Sequence, residues 1–195
     1  MTTPKPRPAG RRPPPGEVRL IGGRWRRSKL PVPAWPGLRP TPDRVRETLF
    51  NWLGQDLGGW RCLDAFAGSG ALGFEAASRG AASVLLVERE GVLLRSLEAA
   101  RDRLGAAEVL RLQRGDGLSS LRAAAEASFE LIFLDPPYDS ELLLPALAAA
   151  ARAVVPGGWV YAESAQPLPT LPEGLVLHRD LKAGQVHAHL LRRTG

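Results

Sequence analysis

Hydrophobic residues from Arg61 onward fall into short apolar runs that alternate with segments of helical periodicity. The apolar runs predict strands over residues 62–65, 84–88, 109–112, 131–134 and 160–163, and the segments between them predict helices over 71–79, 91–104, 118–127 and 141–154. Strands that alternate with helices in this way lie parallel in one sheet, with helices on both faces. Two further strand-like runs around Ala183-Gly184 predict a C-terminal antiparallel hairpin. The pattern therefore predicts an α/β fold with a doubly wound, mostly parallel sheet.

The first fifty residues follow a different pattern. Residues 1–16 consist largely of Pro, Gly and Arg and have almost nothing to bury, which predicts a disordered basic tail. β-forming residues on both sides of Gly22-Gly23 predict a hairpin with a two-residue turn, whose second strand would carry basic residues on alternating faces. Thr41 is placed to cap a following helix, and Pro42 suits its first position. We therefore expect a tail over 1–16, a small hairpin-and-helix extension over 17–53 and the main domain over 54–195.

Length and composition limit the class of protein. A chain of 195 residues with 44% hydrophobic and 24% charged residues has room for one main folded domain with small appendages. Cys62 is the single cysteine and cannot form an internal disulfide, which favours a reducing compartment, and the three histidines give no zinc-site spacing. No apolar stretch is long enough to cross a membrane, and the N-terminus lacks the apolar segment of a secretory signal. We expect a cytoplasmic protein with no membrane partner and no metal site.

Positive charge is concentrated at the N-terminal end. Residues 1–46 contain twelve of the 26 Lys and Arg residues and two of the 20 Asp and Glu residues, so the formal net charge of +6 combines a strongly basic arm with a mildly acidic body. Such a distribution is typical of a protein that binds a polyanion at one end, although a solubilising tail has the same composition. The candidates for contact with RNA lie in this arm: Arg24, Arg26, Arg27, Lys29, Arg39, Thr41, Arg44 and Arg46.

A glycine-rich turn follows the first strand of the main domain. In LDAFAGSGALGFEA, Gly68 and Gly70 lie between a strand and a helix, where backbone N–H groups and a helix N-terminus can approach a ligand. The GxGxxG pattern alone also fits a nicotinamide-dependent dehydrogenase. Asp64 argues against that alternative, because its carboxylate would repel a pyrophosphate and attract a cationic ligand. S-adenosylmethionine carries an ammonium and a sulfonium and no phosphate, so the spacing predicts a site for this cofactor.

The predicted cofactor site has three acidic members. We expect Asp64 near the amino-acid moiety, Glu88 on the ribose hydroxyls and Asp116 on the adenine amino group. Some members also have a structural alternative: Glu88 could be a solvated strand end, Asp116 a helix cap and Gly70 a site of tight packing. The full set of candidate cofactor-binding residues is Asp64, Phe66, Gly68, Ser69, Gly70, Glu88 and Asp116.

The tetrapeptide DPPY, residues 135–138, follows the fourth strand of the main domain, at the edge where such sheets bind ligands. Its two prolines fix the backbone and remove two N–H donors, which leaves a rigid turn of oxygen acceptors. Asp135 and the Pro136 carbonyl could accept both hydrogens of an exocyclic amine and aim its lone pair at a methyl group, while Tyr138 offers a face for stacking. The turn thus predicts methylation of an exocyclic amine on a nucleobase; the structural alternative is a Pro-Pro turn that only ends a strand. The candidate catalytic residues are Asp135, Pro136, Pro137 and Tyr138.

Several segments together resemble one family. The run from Val18 through Trp25 to Leu30, the block RPTPDRVRETLFNWL, the turn CLDAFAGSGALGFEAASRGA, DPPY and the late LHRD with GQV are similar to the bacterial 16S rRNA guanine-N2 methyltransferases called RsmD. The resemblance covers about residues 17–193, and RPTPDRVRETLFNWL is its most specific part. It implies a class I, Rossmann-like S-adenosylmethionine-dependent methyltransferase with a small N-terminal extension. It also implies that residues 135–138 match the catalytic motif, that 64–70 match the cofactor motif, and that the substrate is one guanine of 16S rRNA in a 30S subunit or an assembly intermediate.

Other functions remain open on the residues alone. DPPY also occurs in adenine-N6 methyltransferases, so the tetrapeptide does not choose between guanine and adenine, or between RNA and DNA. A nicotinamide-dependent dehydrogenase is disfavoured by Asp64, and a noncatalytic ribosome-assembly factor would use only the basic arm. Methylation at C5 of a pyrimidine is disfavoured because it needs a usable cysteine nucleophile.

Overall fold

A computed structural model describes residues 16–137 and 140–195 of the chain. The elements in chain order are β1 (Gly16–Arg19), β2 (Lys29–Val32), α1 (Asp43–Trp52), β3 (Arg61–Asp64), α2 (Ala71–Ser78), β4 (Ser83–Glu88), α3 (Gly91–Arg103), β5 (Leu110–Arg114), α4 (Gly117–Ala123), β6 (Phe129–Leu134), α5 (Leu143–Ala153), β7 (Val154–Ser164), β8 (Leu175–Ala183) and β9 (Val186–Arg193). The tail predicted over 1–16 lies outside the described residues except for Gly16, which begins β1.

Seven of the strands form one sheet in the order β5-β4-β3-β6-β7-β9-β8. Strands β3 to β7 pair in parallel, and β9 pairs antiparallel with both β7 and β8. The predicted doubly wound sheet and its C-terminal hairpin are therefore confirmed. The strand order reverses between β3 and β6, because the chain runs outward from β3 to β5 and then returns to the other side of β3. In open α/β sheets a ligand crevice opens at such a reversal, at the carboxyl ends of the strands.

Two element boundaries differ clearly from the sequence prediction. Strand β7 begins at Val154, directly after α5, instead of at residue 160. Helix α4 ends at Ala123 instead of at 127, because Ala124 adopts an extended conformation with ψ 141°. Both differences lie toward the amino ends of β6 and β7, at the side of the sheet opposite the crevice.

The N-terminal extension is a hairpin followed by a helix, as predicted, but Gly22-Gly23 is not the hairpin turn. Strands β1 and β2 pair antiparallel, and residues 20–28, here called the basic loop, connect them. Gly22 and Gly23 lie against the C-terminal end of α2, where the Ser78 carbonyl and the Arg79 guanidinium leave no room for a Cβ. The two glycines are needed for this close approach. The expected cationic strand is therefore wrong, and most of its basic residues lie on the basic loop instead.

The extension and the main sheet share one hydrophobic core. The Phe50 ring of α1 lies 6.3 Å from the ring of Phe133 in β6, and Phe133 in turn lies 6.2 Å from Tyr161 in β7, measured between centroids. Buried residues of β1, β2 and the basic loop belong to the same cluster. The extension is thus fixed in position against the sheet. Within the described residues, no helix has the length and apolar character needed to cross a membrane.

Candidate active site

A cavity of about 590 Å³ opens where the strand order reverses. The carboxyl ends of β3, β4 and β6 and the turns that follow them form its floor. This volume is within the range of small-molecule and cofactor sites. The predicted cofactor and catalytic residues that line it are Asp64, Phe66, Gly68, Ser69, Glu88, Asp116, Asp135, Pro136 and Pro137. Tyr138 falls outside the described residues.

The glycine-rich turn brings the start of α2 against the end of β3. Gly70 is the N-cap residue of α2 and has a left-handed backbone, φ 77°, and a Cβ there would collide with Leu97 and Phe74. Its structural alternative, tight packing, is the role that the structure shows, and it does not line the cavity. Asp64 accepts a hydrogen bond of 3.1 Å from the N–H of Gly73, in the first turn of α2. The turn therefore holds the Asp64 carboxylate at the floor of the cavity.

Glu88, at the end of β4, uses both carboxylate oxygens on the backbone. Its Oε2 accepts from the Gly68 N–H at 2.8 Å, and its Oε1 accepts from the Glu90 N–H at 2.8 Å. In a dinucleotide site the N–H groups of the glycine-rich turn face the pyrophosphate. Here the N–H groups of Gly68 and Gly73 are held by carboxylates. The geometry therefore disfavours the dehydrogenase alternative.

Three acids lie at the ends of adjacent strands and are here called the acidic edge. Asp64 ends β3, Asp135 follows β6 and Glu163 is near the end of β7. The register pairs Leu134 with Ala162, so Asp135 and Glu163 come next on neighbouring strands. Burial raises the pKa of Asp64 to about 7. Burial and the charges of Glu163 and Asp64 raise the pKa of Asp135 well above its usual range. Such a cluster favours a ligand that brings positive charge.

Glu163 is a member of the acidic edge that the sequence analysis did not single out. It is 2% exposed, and its Oε1 accepts hydrogen bonds from the Thr41 hydroxyl at 2.7 Å and the Tyr161 hydroxyl at 2.9 Å. Burial raises the pKa of Glu163, and the two hydroxyl donors partly offset this. The available signal was its place at the carboxyl end of the strand predicted over 160–163.

Thr41 corrects two sequence predictions at once. It does not cap α1, because Pro42 is the N-cap residue and makes no side-chain hydrogen bond there. Its hydroxyl is bonded to Glu163 and its side chain is buried, so the prediction that Thr41 contacts RNA is wrong.

Residues 35–41, between β2 and α1, form one side of the cavity and are here called the cavity wall. Leu38 lies so close over the glycine-rich turn that a Cβ on Gly68 would be 3.0 Å from its Cδ1. Arg39, predicted to contact RNA, is exposed and lines the same cavity. The extension therefore contributes to the candidate cofactor site, which the charge pattern of the sequence did not indicate.

Most of the basic candidates are exposed. Arg24, Arg26 and Arg27 lie on the basic loop, which is held to α2 through the backbone. The N–H of Arg24 donates to the Ser78 carbonyl at 2.6 Å, and the N–H of Trp25 donates to the Ser78 hydroxyl at 2.9 Å. The other exposed candidates are Lys29, Arg39 and Arg44.

Arg46 is buried in an ion-pair network, so the prediction that it contacts RNA is wrong. Its guanidinium pairs with Glu75 at 3.3 Å and with Asp43 at 2.6 Å. Glu75 also pairs with Arg79 at 2.8 Å and accepts two hydrogen bonds from backbone N–H groups of the basic loop. Arg46, Glu75 and Arg79, here called the Glu75 network, fasten the basic loop to the helix that carries the glycine-rich turn.

Comparison with known proteins shows which family has this sequence. The family model described as "Conserved hypothetical protein 95" matches residues 18–192. "Ribosomal RNA small subunit methyltransferase D" of Escherichia coli strain K12 is 42% identical over 186 residues, which cover 91% of each chain. The protein of the same name from Haemophilus influenzae is 38% identical over 182 residues, which cover 90% of this chain and 93% of the relative. The chain belongs to the RsmD family.

Solved structures agree with the predicted fold. The Escherichia coli protein yhhF, assigned as a methyltransferase, has a TM-score of 0.82 at 39% identity, with 92% of this chain and 99% of that chain covered. TrmN of Thermus thermophilus has a TM-score of 0.66 at 24% identity, with 76% of this chain and 48% of that chain covered, and shares the fold. The expected Rossmann-like methyltransferase fold is therefore confirmed.

The side chains that line this RsmD-family cavity include five acids, Asp64, Glu88, Glu90, Asp116 and Asp135, and two arginines, Arg39 and Arg89. Cys62 is buried in β3, and burial raises the pKa of its thiol, so it is no nucleophile. Within residues 16–137 and 140–195, no group of His, Cys, Asp and Glu side chains is arranged to hold a metal ion.

Proposed function

We propose that this chain is an S-adenosylmethionine-dependent methyltransferase that methylates the exocyclic N2 of a guanine in 16S rRNA. The observation that carries the proposal is that Asp135, Pro136 and Pro137 line the same cavity as Asp64 and Glu88. A turn suited to hold an amine and a turn suited to a cationic cofactor thus face one space. The names of the Escherichia coli and Haemophilus influenzae relatives support the coarser part, methyl transfer to ribosomal RNA of the small subunit.

The cavity residues fit S-adenosylmethionine. When bound, this cofactor supplies an electrophilic methyl group on a sulfonium centre. Asp64 offers a carboxylate to the ammonium group, and Glu88 offers one to the ribose hydroxyls, each fixed in place by backbone N–H donors. Asp116 caps α4 through a 2.7 Å hydrogen bond from the Ser119 N–H and also lines the cavity, so a cap and an adenine contact are compatible.

Asp135 acts directly on the amine in this proposal. Its carboxylate accepts one hydrogen of the exocyclic amine and the Pro136 carbonyl accepts the other, which directs the nitrogen lone pair toward the methyl group. When the bond from nitrogen to the methyl group forms, the methyl–sulfur bond would break and S-adenosylhomocysteine would leave. Asp135 would stabilise the positive charge on nitrogen and take the proton that nitrogen loses. Burial and the charges of Glu163 and Asp64 raise the pKa of Asp135 in the ligand-free protein, and a cationic cofactor in the cavity would favour its ionised form. The Pro137 carbonyl is held by the Ser140 N–H at 3.0 Å, which restrains the turn.

The extension over 17–53 serves as the RNA-binding part of the proposed enzyme. Arg24, Arg26 and Arg27 are exposed on a loop that is fixed to α2, so they can contact phosphates at a constant place relative to the cavity. Tyr138 is proposed to stack on the target base. The proposed substrate is a 30S subunit or an assembly intermediate in the cytoplasm.

An adenine-N6 methyltransferase of RNA or DNA is the second candidate, since the same turn would hold the amine of adenine. The experiment incubates the protein with radiolabelled S-adenosylmethionine and, separately, unmodified 30S particles, free 16S rRNA and duplex DNA. The labelled nucleoside is then identified after digestion, with Asp135→Asn as the matched inactive control.

We expect N2-methylguanosine from the ribosomal substrates only, and comparison of particle with free RNA measures how far the folded particle is recognised. Label in N6-methyladenine would replace the guanine proposal with the second candidate. A protein that binds the particle and transfers no label would support the noncatalytic assembly factor.

A further inference from the structure

Glu163 has contacts that a solvated strand end does not need. Both hydroxyl donors meet at the same oxygen, Oε1, from two different parts of the chain. Tyr161 precedes it by two residues on β7, whereas Thr41 is 122 residues away and belongs to the extension. The carboxylate is therefore the point at which the extension is bonded to the carboxyl edge of the sheet, one strand away from the DPPY turn.

Thr41 is also the last residue of the cavity wall. The wall runs from Trp35 past the glycine-rich turn, where a Cβ on Gly68 would be 3.0 Å from Leu38 Cδ1, and Pro42, the N-cap residue of α1, follows Thr41. A bond that fixes Thr41 thus fixes one end of the segment that covers the candidate cofactor site. The acceptor of this bond, Glu163, lies beside Asp135 on the neighbouring strand. The Glu163 side chain is therefore placed to influence both the cavity wall and the DPPY turn.

We propose that Glu163 is a positioning residue, which fastens the cavity wall to the sheet through Thr41 and presents its charge to Asp135. The inference deepens the proposed function and rests on it for the identity of the reaction. Glu163 does not line the cavity, so it acts through its neighbours rather than by contact with cofactor or base.

The electrostatic part of the proposal has a definite sign. Among the described residues, the charged groups that face Asp135 are Asp64 on β3 and Glu163 on β7, and both raise its pKa. Glu163 in turn receives hydrogen bonds from Thr41 and Tyr161, which stabilise its ionised form. Removal of the Glu163 charge therefore lowers the pKa of Asp135, so its carboxylate persists to lower pH.

The first test uses Glu163→Gln, because the amide oxygen still accepts from both hydroxyls while the charge is lost. Carbon-13 NMR follows the titration of the Asp135 carboxyl in the protein without substrate. We expect its midpoint to fall by about one pH unit. The low-pH limb of kcat should move in the same direction, with KM for S-adenosylmethionine nearly unchanged. The control, Tyr161→Phe, keeps the charge and should keep a high midpoint. An Asp135 titration identical in wild type and Glu163→Gln overturns the electrostatic part.

The second test addresses the wall. Thr41→Val removes the donor with little change in volume, and Thr41→Ser keeps it. We expect Thr41→Val to weaken S-adenosylmethionine binding about tenfold and to speed amide hydrogen exchange over residues 35–41, and Thr41→Ser to restore both. Wild-type affinity and exchange in Thr41→Val would overturn the fastening role. The NMR titration and the hydrogen-exchange measurement need no turnover. If the wild-type protein methylates no substrate, the proposed function is refuted, and these two measurements still test the role of Glu163.

Discussion

Two groups of carboxylates that are buried, or half-buried in the case of Asp135, are built in opposite ways. Glu75 lies between Arg46 and Arg79 and accepts two further backbone N–H bonds. The acidic edge receives hydrogen bonds from hydroxyls and backbone N–H groups, and no Lys or Arg of the described residues forms an ion pair with it. One group is electrically balanced by the protein itself, and the other is not.

The presence or absence of arginine partners indicates whether a group of carboxylates stabilises the fold or serves the candidate site. A buried carboxylate with arginine partners holds two segments together. Removal of one partner leaves an uncompensated buried charge and lowers the free energy of unfolding. Buried carboxylates without cationic partners destabilise the ligand-free fold, and a ligand with positive charge relieves them. We therefore expect the Glu75 network to govern stability and the acidic edge to govern turnover, with Asp64 as its cofactor-binding member.

The largest expected effect is on the Glu75 network. Arg46→Met keeps the volume but leaves Glu75 with one arginine, and we expect the free energy of unfolding to fall by about 3–5 kcal/mol in urea denaturation. The matched control is Asp43→Asn, which removes the exposed partner of Arg46 and should cost less than about 1 kcal/mol. If Arg46→Met lowers the free energy of unfolding no more than Asp43→Asn does, the proposed contrast between the Glu75 network and the acidic edge is wrong.

At the acidic edge, removal of a charge should not destabilise the fold. Asp135→Asn removes one uncompensated charge, so the free energy of unfolding should stay equal or rise. Methyl transfer should drop by about 10²–10³-fold because the developing positive charge and the released proton lose their acceptor. Single-turnover methylation and 30S binding are measured on the same preparation, and RNA affinity should barely change. Full activity would remove Asp135 from the mechanism.

Protonation of Asp64 gives a smaller effect that depends on pH. Its pKa is raised to about 7, and a cationic cofactor needs the ionised carboxylate, so the affinity for S-adenosylmethionine should fall as pH drops below 7, by up to about tenfold per pH unit. In the ligand-free protein the sign is opposite for stability, because the raised pKa means stability is lost as pH rises from about 4 to 7. Calorimetry across pH checks the affinity. Asp64→Asn should bind weakly with a flat profile; a steep profile in that variant would assign the dependence to another group.

The smallest expected effect concerns the basic loop, outside both groups. Arg26→Ala with Arg27→Ala should weaken 30S binding and reduce the slope of log affinity against log salt by up to about two, with cofactor affinity unchanged. Arg24 is left in place because its guanidinium lies 5.5 Å from the Trp25 ring centroid and takes part in packing. Arg111→Ala with Arg179→Ala, exposed on the edge strands β5 and β8, is the control pair. Equal slopes for the two pairs would show that the loop does not contact phosphate.

The sequence predicted the sheet and much of the site because these depend on local periodicity and on one rule of parallel sheets. Strand β3 was expected over 62–65 and runs from Arg61 to Asp64. Since parallel strands end at one edge, acids at strand ends were expected to meet, and Asp64, Glu88 and Asp135 all line one cavity.

What the sequence could not predict depends on partners far away in the chain. Arg44 and Arg46 are two residues apart on one helix, yet Arg44 is exposed and Arg46 is buried against Glu75, 29 residues away. Charge pattern alone gives both the same meaning. Gly22-Gly23 has the composition of a hairpin turn, but its real constraint is the Ser78 carbonyl, which belongs to a helix that local rules cannot bring into contact.

Helix α2 connects two places that the proposed enzyme must hold apart. The glycine-rich turn lies at its start, and the basic loop docks on Ser78 at its end. Eight residues of helix are about 12 Å long, and one added residue would lengthen the helix by about 1.5 Å and rotate its end by about 100°. The length of α2 thus sets the distance between the basic loop and the glycine-rich turn, which in the proposed enzyme separates the RNA contact from the cofactor site. A base at another distance from that contact would require a helix of different length, not a more flexible loop.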